Sequence, residues 1–236
     1  MDGVQLCYVR RVMAILERGL DGDPLEYRQA WELQRELHSE VTAGARGATL
    51  LLCEHTPVYT AGRRTRRDER PPNLADPGGT PVVDVDRGGR VTWHGPGQLV
   101  GYPIVRLREP IDVVAYVRAL EVALIAVLQR FGVAGTRVEG RSGVWVARPD
   151  SPPAKVAAIG VRVASGVTMH GFALNVDCDL APYERIVPCG ITDAGVTTLA
   201  REARSGVQVR DVVGPTTAAL AEALPAVAHL GLAVAA

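Results

Sequence analysis

Tyr27, Ala30, Trp31, Gln34, Leu37 and Val41 recur at the three- and four-residue spacing of one helix face. Asp23-Pro24-Leu25-Glu26 ahead of them reads as an N-cap, a first-turn proline and an acidic third position, so an amphipathic helix is predicted from Asp23 onward. The run from Ala48 to Cys53 is short and apolar and ends at Glu54-His55-Thr56-Pro57, which suits a buried strand followed by a loop. Val82 to Val85 and Val91 to Trp93 flank Asp86-Arg87-Gly88-Gly89-Arg90, the pattern of a hairpin. Leu99 to Val105 reads as a further strand. A long helix is predicted from a cap at Asp112 through Leu120, Leu124 and Leu128 to Phe131, with Gly132 as its stop. Three strand-like stretches follow, Gly143 to Ala147, Lys155 to Val163 and Val167 to Val176. The alanine-rich tail after Asp211 reads as helix, with Pro215 and Pro225 marking its limits. Hairpin-like strands mixed with a few helices predict an α+β fold, one domain over residues 1–236 with a mixed, largely antiparallel sheet flanked by helices. Its core motifs occupy 48–191, and 192–236 reads as a largely helical C-terminal part.

Composition narrows the function. The 26 basic and 26 acidic side chains cancel, so no overall field favours a nucleic acid or an anionic membrane. The first residues lack a signal-peptide pattern and no apolar run reaches membrane-spanning length, which predicts a cytoplasmic protein. In a reducing compartment Cys7, Cys53, Cys178 and Cys189 are each packing residue or reagent, and they lack metal-ligand spacing. Lys155 is the only lysine, the other 25 basic residues being arginine. An ammonium can be deprotonated when buried and a guanidinium cannot, so a lysine kept against this background is a candidate for chemistry, or for a site too tight for arginine. Arg63, Arg64, Arg66, Arg67 and Arg70 crowd a proline-rich stretch that is either a functional or a merely solvated basic loop.

Three clusters carry candidate chemistry. In the first, from Arg87 to Gln98, two glycine pairs bracket a short strand ending in His94, so backbone can approach a ligand closely; a hairpin with turn glycines and a core histidine is the alternative. In the second, the small residues Ala158, Gly160, Gly171 and Ala173, with Phe172 as a wall, suit a slot for an extended apolar chain, or simply two close-packed strands. In the third, Pro188-Cys189-Gly190 sets a cysteine on a constrained turn where the thiol can act as a nucleophile. Cys7 and Cys53 sit in apolar stretches, and the carboxylates beside Cys178 would raise its pKa and disfavour the thiolate. A cysteine hydrolase using Cys189 with His94 or His170, and a non-catalytic carrier-binding module, remain as competing readings.

Taken in order, Arg87-Gly88-Gly89, Thr92-Trp93-His94-Gly95-Pro96-Gly97-Gln98, Lys155 with Ala158-Ile159-Gly160, His170-Gly171-Phe172-Ala173-Leu174-Asn175 and Pro188-Cys189-Gly190-Ile191 resemble the lipoyl(octanoyl) transferases, relatives of the lipoate– and biotin–protein ligases. The resemblance extends from about Glu54-His55 to Ile191, and Trp93 stands where many members have tyrosine. It implies the ligase-type catalytic fold, with Cys189 carrying an acyl thioester and Lys155 as its paired acid and base. Arg87, Gly88, Gly89, Arg90, Val91, Thr92, Trp93 and His94, with Ala158, Ile159, Gly160, Gly171, Phe172 and Ala173, would line the acyl site. The implied donor is octanoyl acyl carrier protein, and the implied acceptor a lysine on a lipoyl domain of a 2-oxo-acid dehydrogenase subunit or on the glycine-cleavage H protein. No ATP, metal or other cofactor is implied, the acyl group arriving on phosphopantetheine.

Overall fold

A computed structural model describes residues 13–20, 22–70, 79–186 and 193–231. In chain order the elements are β1 (Ala14–Arg18), α1 (Tyr27–Thr42), β2 (Thr49–Cys53), β3 (Val58–Ala61), β4 (Val82–Asp84), β5 (Val91–His94), β6 (Gln98–Ile104), β7 (Arg106–Leu107) and α2 (Val113–Arg130). After α2 come β8 (Gly135–Val138), β9 (Arg141–Val146), β10 (Ala154–Ala164), β11 (Val167–Asn175), β12 (Gly195–Val196), α3 (Leu199–Ala203), α4 (Val209–Ala223) and β13 (Ala228–His229). The main sheet runs β1-β2-β6-β11-β10-β9-β8, antiparallel except for β1 on β2, and β12 adds a short parallel pairing to β10. The expected α+β class with a mixed, largely antiparallel sheet is borne out.

Side chains alternate across this sheet with the period of two that strands impose. Leu51, Cys53, Val100, Tyr102, Met169 and Ala173 face α1, while Leu50, Leu52, Leu99, Phe172 and Leu174 face α2 and α4. Asp112 caps α2 as expected, its Oδ1 accepting from Ala115 N–H at 2.8 Å, and Gly132 follows the helix at φ +73°. Among the described residues no helix is long and apolar enough to cross a membrane.

Three expectations fail locally. Helix α1 starts at Tyr27 with Glu26 as its cap, not at Asp23, because Leu25 bridges to His55 and its N–H is bonded to Glu54 O. The expected hairpin of residues 82–93 is split, since β3 lies between β4 and β5 in a small second sheet. The glycines of that loop serve close approach instead of a tight turn: Gly88 N–H bonds Val161 O, and a Cβ on Gly62 would collide with Gly89 O. Pro215 does not limit the C-terminal helix but lies inside α4.

Candidate active site

Three adjacent strands of the main sheet make the floor of a cavity of about 210 Å³. Val100, Ala173 and Ala158 form one row across β6, β11 and β10. Two residues along, Gly171 and Gly160 pair directly, and Tyr102 follows Val100 on the same face. The small residues thus keep a shallow trough open along the strands. Close packing accounts for part of the same pattern, because a Cβ on Gly171 would strike Gly101 O and one on Gly160 would meet Arg87 and Gly88. Tyr27 of α1, Thr92 and His94 of β5 and the loop residues Arg87, Gly89 and Arg90 complete the lining, with Arg64, Gly140, Arg141, Ser142, Lys155 and His170 around it.

Of the residues expected to line the site, Arg87, Gly89, Arg90, Thr92, His94, Ala158, Ile159, Gly160, Gly171, Phe172 and Ala173 do so. Gly88, Val91 and Trp93 do not. Alternation along β5 turns Val91 and Trp93 to the other face, into a cluster with Tyr59 and Tyr183, and Gly88 is held on Val161. The Phe172 ring belongs to the α2 face and covers Gly101, so Phe172 borders the cavity without being its expected side wall.

Arg87 is built into the roof. Its guanidinium donates to Gly88 O, Arg90 O, Thr60 O and Thr60 Oγ1 at 2.8–3.0 Å, which fixes the glycine loop above Gly160. The amide of Gln98 donates to Asn175 Oδ1 and the Tyr183 hydroxyl, so its Oε1 must accept from His94 Nδ1–H, at 2.7 Å. That tautomer leaves His94 Nε2 to accept from the Thr60 hydroxyl at 3.3 Å. Burial, with His55 close by, holds His94 well below the ordinary histidine range. Both nitrogens are therefore occupied in a neutral ring stacked on Tyr27, which disfavours His94 as the base of a cysteine hydrolase. His55 behind it donates from Nδ1 to Leu25 O and accepts from the Tyr102 hydroxyl at 2.7 Å, and burial lowers it to about 4.

Lys155 lies at a bulge of β10 and is buried, 7% exposed. Its Nζ rests 4.5 Å from the centroid of Trp145, a cation–π distance, and among the described residues no carboxylate pairs with it. Gly143, at φ +106°, leaves space against Ala157 O and the Lys155 side chain that a Cβ would fill. Cys189 and Cys7 lie outside the described residues. The last described residue before Cys189, Ile186, packs beside Trp93 and Tyr183, and the first after it, Asp193, has a carboxylate that accepts from Arg141 of the cavity lining at 2.7 Å. Two residues on, β12 begins, with Val196 paired to Lys155 itself. Cys53 and Cys178 are buried; burial raises the Cys53 thiol, and burial followed by the Asp177 charge pushes Cys178 up to about 12.

The model of the lipoyl protein ligase A/B catalytic domain matches residues 26–221. The chain belongs to that family. A relative from Leifsonia xyli, named octanoyltransferase, is 60% identical over 86% of this chain and 88% of its own. One of the same name from Thermobifida fusca is 55% identical over 92% of each chain. These bear out the expectation of an acyl-transferring enzyme of this family. A bipartite lipoate protein ligase from Thermoplasma acidophilum superposes with a TM-score of 0.65 at 15% identity, over 91% of this chain and 84% of that one, a likeness of fold.

Family motifs do not account for the whole lining. Tyr27, Tyr102 and Arg141 join the cavity from α1, β6 and β9, and Asp86 holds His170 through Nε2 at 2.7 Å. Helical periodicity had put Tyr27 on the buried face of α1, but nothing local distinguished a cavity residue there from a core one.

Proposed function

We propose that this chain moves an octanoyl group from acyl carrier protein to a lysine of a lipoyl domain, or of the glycine-cleavage H protein, through a thioester on Cys189. The Cys189 thiolate attacks the carrier thioester, and Lys155 gives a proton to the departing phosphopantetheine thiol. The acceptor lysine then attacks the enzyme thioester, Lys155 takes back a proton, and the Cys189 thiolate is released. Exchange of one thioester for another is nearly thermoneutral and thioester to amide is downhill, so the cycle needs neither ATP nor a metal. No nucleic acid or membrane takes part, and the reaction belongs in the cytoplasm.

The observation that carries this reading is Lys155. The sole lysine is buried at the cavity edge with no carboxylate partner among the described residues, an arrangement that stability alone does not favour. The described residues that follow the Cys189 segment reach the same place, through Asp193 on Arg141 and Val196 on Lys155. The relatives named octanoyltransferase supply the acyl group.

The test is to mix the enzyme with octanoyl acyl carrier protein, with and without a lipoyl domain, and weigh the products. An octanoyl adduct is expected on the Cys189 peptide without acceptor and on the lipoyl lysine with it. Cys189→Ala should lose both, while substitution of Cys53 or Cys178 keeps transfer. A fully active Cys189→Ala enzyme would remove the covalent step, and free octanoate as the main product would point to a hydrolase.

A further inference from the structure

Along β11, Met169 and Ala173 face α1 whereas Phe172 and Leu174 face α2, so strict alternation would turn His170 towards α2. It does not go there. Its backbone adopts φ +56°, a left-handed conformation unfavourable for a residue with a Cβ, and its ring packs against Trp31 of α1, centroids 6.1 Å apart, and borders the cavity. Two side chains hold it there: Gln34 Oε1 accepts from its backbone N–H at 2.9 Å, and Asp86 Oδ1 accepts from Nε2–H at 2.7 Å. Arg162 in turn pairs with the other oxygen of Asp86. The remaining ring nitrogen, Nδ1, is buried without a partner. A strained backbone and an unpaired buried nitrogen both oppose this placement, which marks the position as functional.

The place of the ring suggests the function. Lys155 lies three residues before Ala158 on β10, and His170, paired to Val161, lies beyond Gly160 and Gly171 in the opposite direction. From Ala173 to His170 is three residues, about 10 Å of extended strand. An extended eight-carbon chain, with C–C bonds of about 1.5 Å, is about 9 Å long. We propose that the His170 ring is the end wall of the acyl slot and sets the length of chain that the enzyme accepts. An acyl group whose carbonyl lies over the Ala158–Ala173 row runs along the cavity past Gly160 and Gly171, which border it, and stops at His170, while a longer chain meets the ring. Gln34 and Asp86 are positioning residues that act through it. The inference rests on the acyl-transfer reading above.

The test measures kcat/KM for transfer to a lipoyl domain from carrier protein loaded with hexanoyl, octanoyl, decanoyl or dodecanoyl groups. Glycine adopts positive φ freely, so His170→Gly removes the wall while keeping the backbone, and His170→Asn leaves a shorter polar group. A methylene in an apolar pocket is worth about 10- to 200-fold in discrimination, so the decanoyl-to-octanoyl ratio should rise at least ~10-fold in His170→Gly and less in His170→Asn. A merely structural role would lower all four lengths in parallel. A wild type active on octanoyl, with the ratio unchanged in His170→Gly, overturns the end wall alone. A wild type that transfers no acyl group removes the acyl-transfer reading as well.

Discussion

Lys155 and His94 border one cavity, yet their surroundings fit them for different work. His94 is locked between Gln98 and Thr60 with both nitrogens spoken for, so it can shape the roof but has no free site at which to move a proton. The Lys155 amine rests on the Trp145 face and has no carboxylate partner among the described residues, so the proposed proton transfer through it can be tested by substitution. If it supplied charge alone, Lys155→Arg should keep much of the activity, because arginine retains the charge. If it shuttles protons, arginine must fail. Single-turnover acylation by octanoyl carrier protein and deacylation by a lipoyl domain, measured separately, should both slow by at least ~100-fold in Lys155→Arg with the fold intact. Near-normal rates in both steps would leave Lys155 an electrostatic or structural residue. Lys155 was legible in the sequence because composition isolates it. Asp86 and His170, 84 residues apart, were not recognisable as a pair, because their bond exists only once β11 and the small sheet come together.

At the scale of elements, period and caps were legible and partners were not. The α2 cap and stop, and the strands β10 and β11, follow from local chemistry. β3 was missed because Val58-Tyr59-Thr60-Ala61 is only four residues long and sits between the apparent loop signals Pro57 and Gly62. β1 was missed in the same way, its pairing to β2 being parallel and decided across the whole of α1. Another tie between distant elements is Glu121, fully buried on α2, which accepts from Gly143 N–H of β9 at 3.1 Å and pairs with Arg118 and Arg137. It fixes the helix to the strand whose next turn of backbone, through Gly143 and Trp145, shapes the surroundings of Lys155. Glu121→Ala leaves a buried N–H and two arginines without their acceptor, so unfolding in urea should show a loss of about 3 kcal/mol. An unchanged midpoint would mean that the two half-exposed arginines are satisfied by water and that the tie contributes nothing.

Over the whole molecule charge sums to zero, but it is not spread evenly. The arginine-rich stretch divides in two. Arg70 pairs with Asp84, and Glu69 with Arg90 of the roof, so this half braces the small sheet. Arg63, Arg64, Arg66 and Arg67 are exposed and have no carboxylate partner among the described residues, and Arg64 borders the cavity. A basic rim at the mouth of an otherwise neutral protein suits an anionic carrier or lipoyl domain, and rim charges act mainly on association rate. Arg63→Glu combined with Arg67→Glu spares the cavity and the bracing pairs, so turnover at saturation should hold while KM for octanoyl carrier protein rises about 10-fold at low salt. Raising salt shortens the screening length from about 30 Å at 0.01 M to about 3 Å at 1 M, so the KM of the wild type should climb towards that of the variant. The variant's own KM should barely respond. Equal KM values for the two proteins at low salt would mean that the exposed arginines are only a solvated face and that the carrier is recognised elsewhere.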